Sequence, residues 1–133
     1  MGVYVFQAVH GPYVKVGHYA RKNAWSRVAH RGFTSCAKPD PDLRVATHAD
    51  VALVAWFPGY TRAEECAIKR HFKQSRRRTS TSTSTSTSTS SRPTEWYDAA
   101  ALPLILAFLV GLGGTECAAA CDKVAALATR RRL

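Results

Sequence analysis

Two short segments near the N-terminus, residues 3–9 and 13–19, constrain the fold more than any other feature of the sequence. Both are rich in β-branched and aromatic residues, and Gly11-Pro12 lies between them. This pattern predicts a β-hairpin with a two-residue turn. Because successive side chains of a strand point to opposite faces, the hairpin has two distinct faces. One carries Val3, Val5, Val9, Val14 and Val16, and the other carries Tyr4, Phe6, His10, Tyr13, Lys15, Gly17 and Tyr19.

Three further elements are predicted after the hairpin. Residues 23–31 indicate a short helix with Asn23 as its N-cap, and the apolar run 51–57 indicates a central strand covered on both sides. Thr61 and Glu64 have the spacing of a capping box, so a second helix is expected to begin there. We therefore expect an α/β protein of the α+β type, with a small three-stranded antiparallel sheet flanked by helices.

The chain of 133 residues is expected to form one domain, in which an alternating Thr/Ser tract at residues 79–91 acts as a linker. Residues 1–78 form the core, and residues 92–133 form a closing Glu-Trp-Tyr segment and C-terminal helices. The apolar stretch 99–114 is shorter than the about 20 residues that a membrane-spanning helix needs, and Pro103 interrupts it. We expect a buried helix packed on the sheet, with another helix at 116–129. The alternative is a membrane-attached segment.

The charge of the chain indicates a polyanionic partner. The sequence has 19 Lys and Arg residues against 9 Asp and Glu residues, and residues 1–78 hold 14 of the basic and 5 of the acidic side chains. Such a surface favours a polyanion, either nucleic acid (DNA or RNA) or an anionic membrane surface. Arg76-Arg77-Arg78 either contact phosphates or form a solvated charge run. The N-terminus has no secretory signal pattern, so we expect an intracellular protein, cytoplasmic or nuclear and not secreted.

Glu65 is the residue whose position most needs a chemical explanation. Helical spacing puts it on the apolar face of its helix, together with Ile68 and Phe72. A carboxylate that points toward a core is destabilising by several kcal/mol unless it is paired, hydrogen-bonded or bound to a cation. Two explanations stay open, an ion pair with Lys69 at i+4 and a bound metal ion.

Several short motifs occur in an order that resembles the GIY-YIG nuclease superfamily, and more closely its divergent branch found in phages and large DNA viruses. They are Gly2-Val3-Tyr4, Val14-Lys15-Val16-Gly17, Arg27, Glu65 and Glu95-Trp96-Tyr97. The resemblance covers residues 1–98, with the Thr/Ser tract as an insertion. It implies a small α/β domain in which an antiparallel sheet and two helices surround one phosphodiester.

The resemblance also implies catalytic roles. Tyr4 would activate or position the attacking water, Arg27 would contact the scissile phosphate, and Glu65 would bind a single divalent cation, Mg²⁺ or Mn²⁺. Lys15 stands where the family has its second tyrosine, and Tyr13 either substitutes for that tyrosine in part or forms an aromatic lid. Arg31 is the alternative to Arg27, one helical turn later.

The expected function is thus a magnesium-dependent endonuclease that acts on DNA. The residues expected to contact nucleic acid are Lys15, Arg27, Arg31, Lys69, Arg76, Arg77 and Arg78. The replacement of the second tyrosine by Lys15 keeps an alternative open, a catalytically inactive nucleic-acid-binding module with the same fold. No stable membrane insertion is expected.

Overall fold

The computed structural model describes residues 1–28, 39–40, 42–45, 47–78 and 93–126. The strands are β1 (Gly2–Ala8), β2 (Tyr13–Tyr19), β3 (Val51–Pro58), β4 (Arg76–Arg78) and β5 (Pro93–Asp98), and the α-helices are α1 (Trp25–Val28), α2 (Arg62–His71) and α3 (Leu102–Gly111). Arg31 and the Thr/Ser tract lie outside the described residues, so the predictions for them are not addressed by the structure.

The five strands form one antiparallel sheet in the order β3-β1-β2-β5-β4. The α+β class is therefore confirmed, but the prediction of three strands is wrong. The Glu-Trp-Tyr segment extends the sheet as β5, where Lys15 pairs with Trp96, and Arg76 of β4 pairs in turn with Tyr97. The arginine run gave no strand signal because it has no apolar alternation, and it joins the sheet through backbone pairing.

The hairpin forms as predicted, although its turn is longer. β1 ends at Ala8 and β2 begins at Tyr13, so residues 9–12 connect them instead of a two-residue turn. The register pairs Val5 with Val16, two positions away from the pairing that the shorter turn requires. A shift of two residues does not change which face a side chain occupies, so the predicted division into two faces holds for the paired residues. Val9, in the connection, is exposed.

Both faces of the hairpin are buried. Val3, Val5, Val14 and Val16 pack with residues of α2 and α3, including Ile68, Ile105 and Leu109. On the opposite face, Tyr4, Phe6 and Tyr19 pack with Trp25, Trp56 and Trp96. The aromatic face is therefore a second core layer that leaves a cleft at one end.

β3 is an edge strand, so its prediction as a central strand is wrong. Its outer side is covered in part by the C-terminal segment, where Glu116 Oε1 accepts a hydrogen bond from Trp56 N–H at 3.1 Å and Cys117 N–H donates to Trp56 O at 2.7 Å. These contacts satisfy backbone groups that an edge strand leaves open. Most residues of β3 are apolar because they pack in the two core layers and beneath the C-terminal segment.

The predicted N-terminal caps of α1 and α2 are present in the structure. Thr61 and Glu64 form the predicted capping box, and Asn23 Oδ1 accepts from Trp25 N–H at 3.0 Å at the start of α1. α3 packs on the sheet through Ile105 and Leu109, as expected. The helix predicted at 116–129 is wrong over its first part, which forms a 3₁₀ turn at Ala118–Ala120 before a helical turn at 123–126. Within the described ranges, no helix is long and apolar enough to cross a membrane.

Candidate active site

A cleft of about 530 Å³ lies where three strands and two helices meet. It brings together three residues that the sequence predicts as catalytic, Tyr4 of β1, Arg27 of α1 and Glu65 of α2. The complete lining consists of Tyr4, His18, Arg27, Arg62, Glu65, Cys66, Lys69 and Glu95. The convergence of these side chains from distant parts of the chain defines the candidate site.

Glu65 points inward, as its helical position predicts, and its side chain is only 9% exposed. Oε2 accepts a hydrogen bond from the His18 N–H at 2.8 Å, and Oε1 lies 3.0 Å from Lys69 Nζ. The ion pair with Lys69 that the sequence left open is thus present. The contact with β2 fixes the carboxylate against the hairpin, next to the cleft.

Tyr4 and Gly17 are held together by direct packing. The two residues pair across β1 and β2, and the Tyr4 phenol lies over the Gly17 backbone. A Cβ atom built on Gly17 would collide with Tyr4 Oη and would lie 2.5 Å from Tyr4 Cζ. The position of the phenol therefore leaves no room for a side chain at residue 17.

Lys15 is completely buried, which does not agree with a direct contact between this residue and nucleic acid. Its Nζ lies 2.9 Å from Glu95 Oε2 and 5.5 Å from the centre of the Trp96 ring. Burial acts to raise the pKa of Glu95, but the charge and hydrogen bond of Lys15, with smaller contributions from Lys69 and Arg27, hold that pKa below its ordinary value. Lys15 thus acts beneath the cleft, through a carboxylate that lines it.

Tyr13 lies away from the cleft, so the structure does not support it as a substitute for the second family tyrosine. It lines a separate groove of about 620 Å³ together with Pro39, Asp40 and the three arginines of β4.

Arg76 Nε donates to Thr94 O at 2.7 Å, and Arg77 Nε lies 2.7 Å from Asp98 Oδ1. Each guanidinium has five N–H donors, and these contacts use only some of them. The arginine run can therefore still either contact phosphates or form a solvated charge run.

Arg62, His18 and Glu95 are cleft residues that sequence reasoning did not assign to the site. Arg62 begins α2 on the exposed side of the cleft, and its three-residue spacing from Glu65 is the signal that could have found it. His18 pairs with Val3 and lines the cleft, where its Nε2 is buried without a hydrogen-bond partner among the described residues. Trp25, by contrast, packs edge-on against Phe6 in the core and does not line the cleft.

The carboxylates of the cleft fit the hard cation that the resemblance implies. Mg²⁺ is usually bound in proteins through one or two carboxylates, with water and substrate phosphate as the other ligands. Glu65 and Glu95 both line the cleft, and each oxygen of Glu65 can accept more than the one contact described for it. In the part of the chain that the structure describes, no three His, Cys, Asp or Glu side chains form a group that could hold a metal ion without such additional ligands.

The lining of the cleft carries the basic side chains Arg27, Arg62 and Lys69 and the acidic side chains Glu65 and Glu95. With Lys15 beneath Glu95, the local charge favours an anion, such as a phosphodiester. Comparisons of this chain with protein-family models, with curated proteins and with solved structures gave no match.

Proposed function

We propose that this protein is a magnesium-dependent endonuclease that hydrolyses DNA phosphodiester bonds by a GIY-YIG-type single-metal mechanism. The observation that carries the proposal is the meeting of Tyr4, Arg27 and Glu65 in one cleft. These residues come from β1, α1 and α2, so their proximity depends on the tertiary fold. A phenol, a guanidinium and a carboxylate are the groups that the resemblance requires around one phosphate.

Each of these residues has a separate role in the proposal. Arg27 binds the scissile phosphate and offsets the negative charge that develops on it during hydrolysis. Tyr4 positions the attacking water through its phenol, whose location is set by packing against Gly17. Glu65 would hold the divalent cation, which would supply positive charge to polarise the phosphate and stabilise the leaving oxygen.

A second candidate function is a nucleic-acid-binding module that does not cleave. It is favoured by the burial of Lys15 at the place of the second family tyrosine, where the side chain pairs with Glu95. A buried ammonium cannot replace a phenol in contact with the attacking water. This alternative keeps the basic cleft and its phosphate affinity, and it removes only the chemical step.

A nicking assay on supercoiled and branched DNA, with Mg²⁺, Mn²⁺ or EDTA, tests the proposal. We expect nicking that requires a divalent cation and falls by at least about 100-fold in Glu65→Gln and Arg27→Met, in the range for loss of one electrostatic contact to a transition state. The matched controls are Asp42→Asn and Arg70→Met, which change the same charges at exposed positions outside the cleft.

Two results would lead to other conclusions. Metal-dependent nicking that is unchanged in Glu65→Gln would remove the metal assignment. Absence of nicking under all conditions, together with salt-sensitive DNA binding that Arg27→Met weakens and Arg70→Met does not, would establish the binding module instead.

A further inference from the structure

The contact between Lys69 and Glu65 places a cation on the carboxylate that the proposed function assigns to the metal. Lys69 Nζ lies 3.0 Å from Oε1, whereas the other oxygen, Oε2, faces the backbone of His18. The hydrogen bond from β2 is built into the sheet and cannot move without it. The lysine side chain, in contrast, is flexible and 29% exposed. The more exchangeable of the two partners of Glu65 is therefore Lys69.

An ammonium group and a divalent ion cannot both occupy the open side of Oε1 without strong repulsion. Both are attracted by the same negative charge, and neither gains from sharing it with another cation at contact distance. The Lys69 ammonium could pair with a bound phosphate instead, because Lys69 lines the cleft in which a phosphate would lie. Displacement of the lysine therefore puts a positive charge into the substrate site.

We propose that Lys69 is a positioning residue that occupies Glu65 in the metal-free protein and must leave when a divalent cation binds. This inference rests on the proposed function, in which Glu65 is the metal ligand. Lys69 then sets the metal affinity of the cleft, and its release couples metal uptake to phosphate binding. In the absence of a phosphate, the Lys69 ammonium competes with the metal ion for Glu65 and lowers the metal affinity. A bound phosphate that pairs with the ammonium would remove this competition.

Arg62 provides a matched control for the effect of charge alone. It lines the same cleft and belongs to the same helix, three residues before Glu65. The ion pairs within the described part of the chain include Lys69 with Glu65 and none between Arg62 and that carboxylate. Removal of either cation makes the cleft less positive, but only removal of Lys69 frees Oε1.

The experiment measures Mn²⁺ binding to the full chain by electron paramagnetic resonance, with no nucleic acid present. We expect Lys69→Met and Lys69→Gln to bind Mn²⁺ about threefold to fivefold more tightly than the unmodified chain, which corresponds to about 1 kcal/mol or less for loss of a competing, partly exposed ion pair. Arg62→Met should change the affinity by about twofold or less, because its charge acts at longer range and is screened. Glu65→Gln should abolish the binding.

Thermal unfolding gives an independent measurement of the same competition. Mn²⁺ should raise the midpoint of unfolding more in the Lys69 variants than in Arg62→Met, because at a given ligand concentration the stabilisation of the folded chain rises with the logarithm of the affinity. Lys69→Gln keeps a hydrogen-bond donor, so it serves if Lys69→Met does not fold.

The outcomes separate the inference from the proposed function. If Glu65→Gln abolishes binding and the Lys69 variants bind no more tightly than Arg62→Met, Lys69 does not compete with the metal, and the inference fails while the metal assignment stands. If Mn²⁺ binding is absent from every variant or survives Glu65→Gln, the metal assignment of the proposed function fails as well.

Discussion

Replacement of Gly17 by alanine tests how the Tyr4 phenol is held at the cleft. The backbone of Gly17 does not have a positive φ, so alanine meets no conformational strain there. The new Cβ would overlap the phenol of Tyr4, which is 1% exposed and tightly packed, so the ring would have to shift. Overpacking of this kind lowers stability by about 1–3 kcal/mol, and the reduced freedom of the unfolded chain returns about 0.4–1 kcal/mol. We expect a net loss of about 1–2 kcal/mol.

A double-mutant cycle with Tyr4→Ala identifies the source of this loss. When the phenol is absent, Gly17→Ala should be neutral or stabilising, so the two substitutions should couple by about 1–3 kcal/mol. Urea unfolding followed by tryptophan fluorescence measures each free energy of unfolding. Gly111→Ala is the control, because a Cβ atom at that helical glycine meets no atom within 4 Å. It should stabilise the chain by up to about 1 kcal/mol.

An equal effect of Gly17→Ala with and without the Tyr4 ring would refute the packing argument. It would mean that the strain arises from another neighbour of Gly17, and that the glycine does not set the position of the phenol. Nicking activity in Gly17→Ala then adds a functional measurement, since displacement of the phenol should lower the rate of cleavage while DNA affinity stays nearly unchanged.

Further predictions concern the buried ion pair and the start of α2. Glu95→Gln should destabilise the chain by about 3 kcal/mol and Lys15→Met by only about 1 kcal/mol in urea unfolding, because glutamine removes the carboxylate beside a fully buried ammonium, whereas methionine leaves a carboxylate that water reaches. Equal losses would contradict this asymmetry. The pKa of Glu95 is lowered in the folded chain, so its stabilisation is complete above the unfolded pKa of about 4.3 and is lost as the pH falls through the lower folded pKa. At about 25 °C, lowering the pH from 5 to 3 should therefore reduce the free energy of unfolding less in Glu95→Gln than in the unmodified chain. A larger reduction in Glu95→Gln would contradict the lowered pKa of Glu95. Thr61→Ala should lower stability by about 1 kcal/mol through loss of the capping box with Glu64, and no change in urea midpoint would show that the box is dispensable.

The sequence was sufficient to predict features that depend on local geometry. The faces of the hairpin follow from the period of two along a strand, and they survive the error in turn length because the register moved by two positions. The inward direction of Glu65 follows from helical spacing in the same way, and so does the capping box at Thr61. In each case neighbouring residues carry the whole signal.

Features that depend on long-range pairing were not predictable in this way. Whether 51–57 is a central or an edge strand is decided by which strands lie beside it, and β5 takes the place next to β2. The burial of Lys15 depends on Glu95, which is 80 residues later in the sequence. Polar patterning alone assigns a lysine to the surface, because a buried ammonium needs a partner that sequence spacing does not reveal.

Lys15 and Lys69 have a common electrostatic consequence in the structure. Lys15 pairs with Glu95, and Lys69 pairs with Glu65, so each lysine balances one of the two carboxylates of the cleft. The charges of Arg27 and Arg62 then make the lining attractive to a phosphate even before a metal is bound. DNA binding in EDTA is therefore expected of the endonuclease and of the inactive module alike, and it does not distinguish them. Under the proposed function the distinction lies at Glu65, because hydrolysis would require its carboxylate to exchange the Lys69 ammonium for a metal ion, whereas a module that only binds nucleic acid needs no metal ion there.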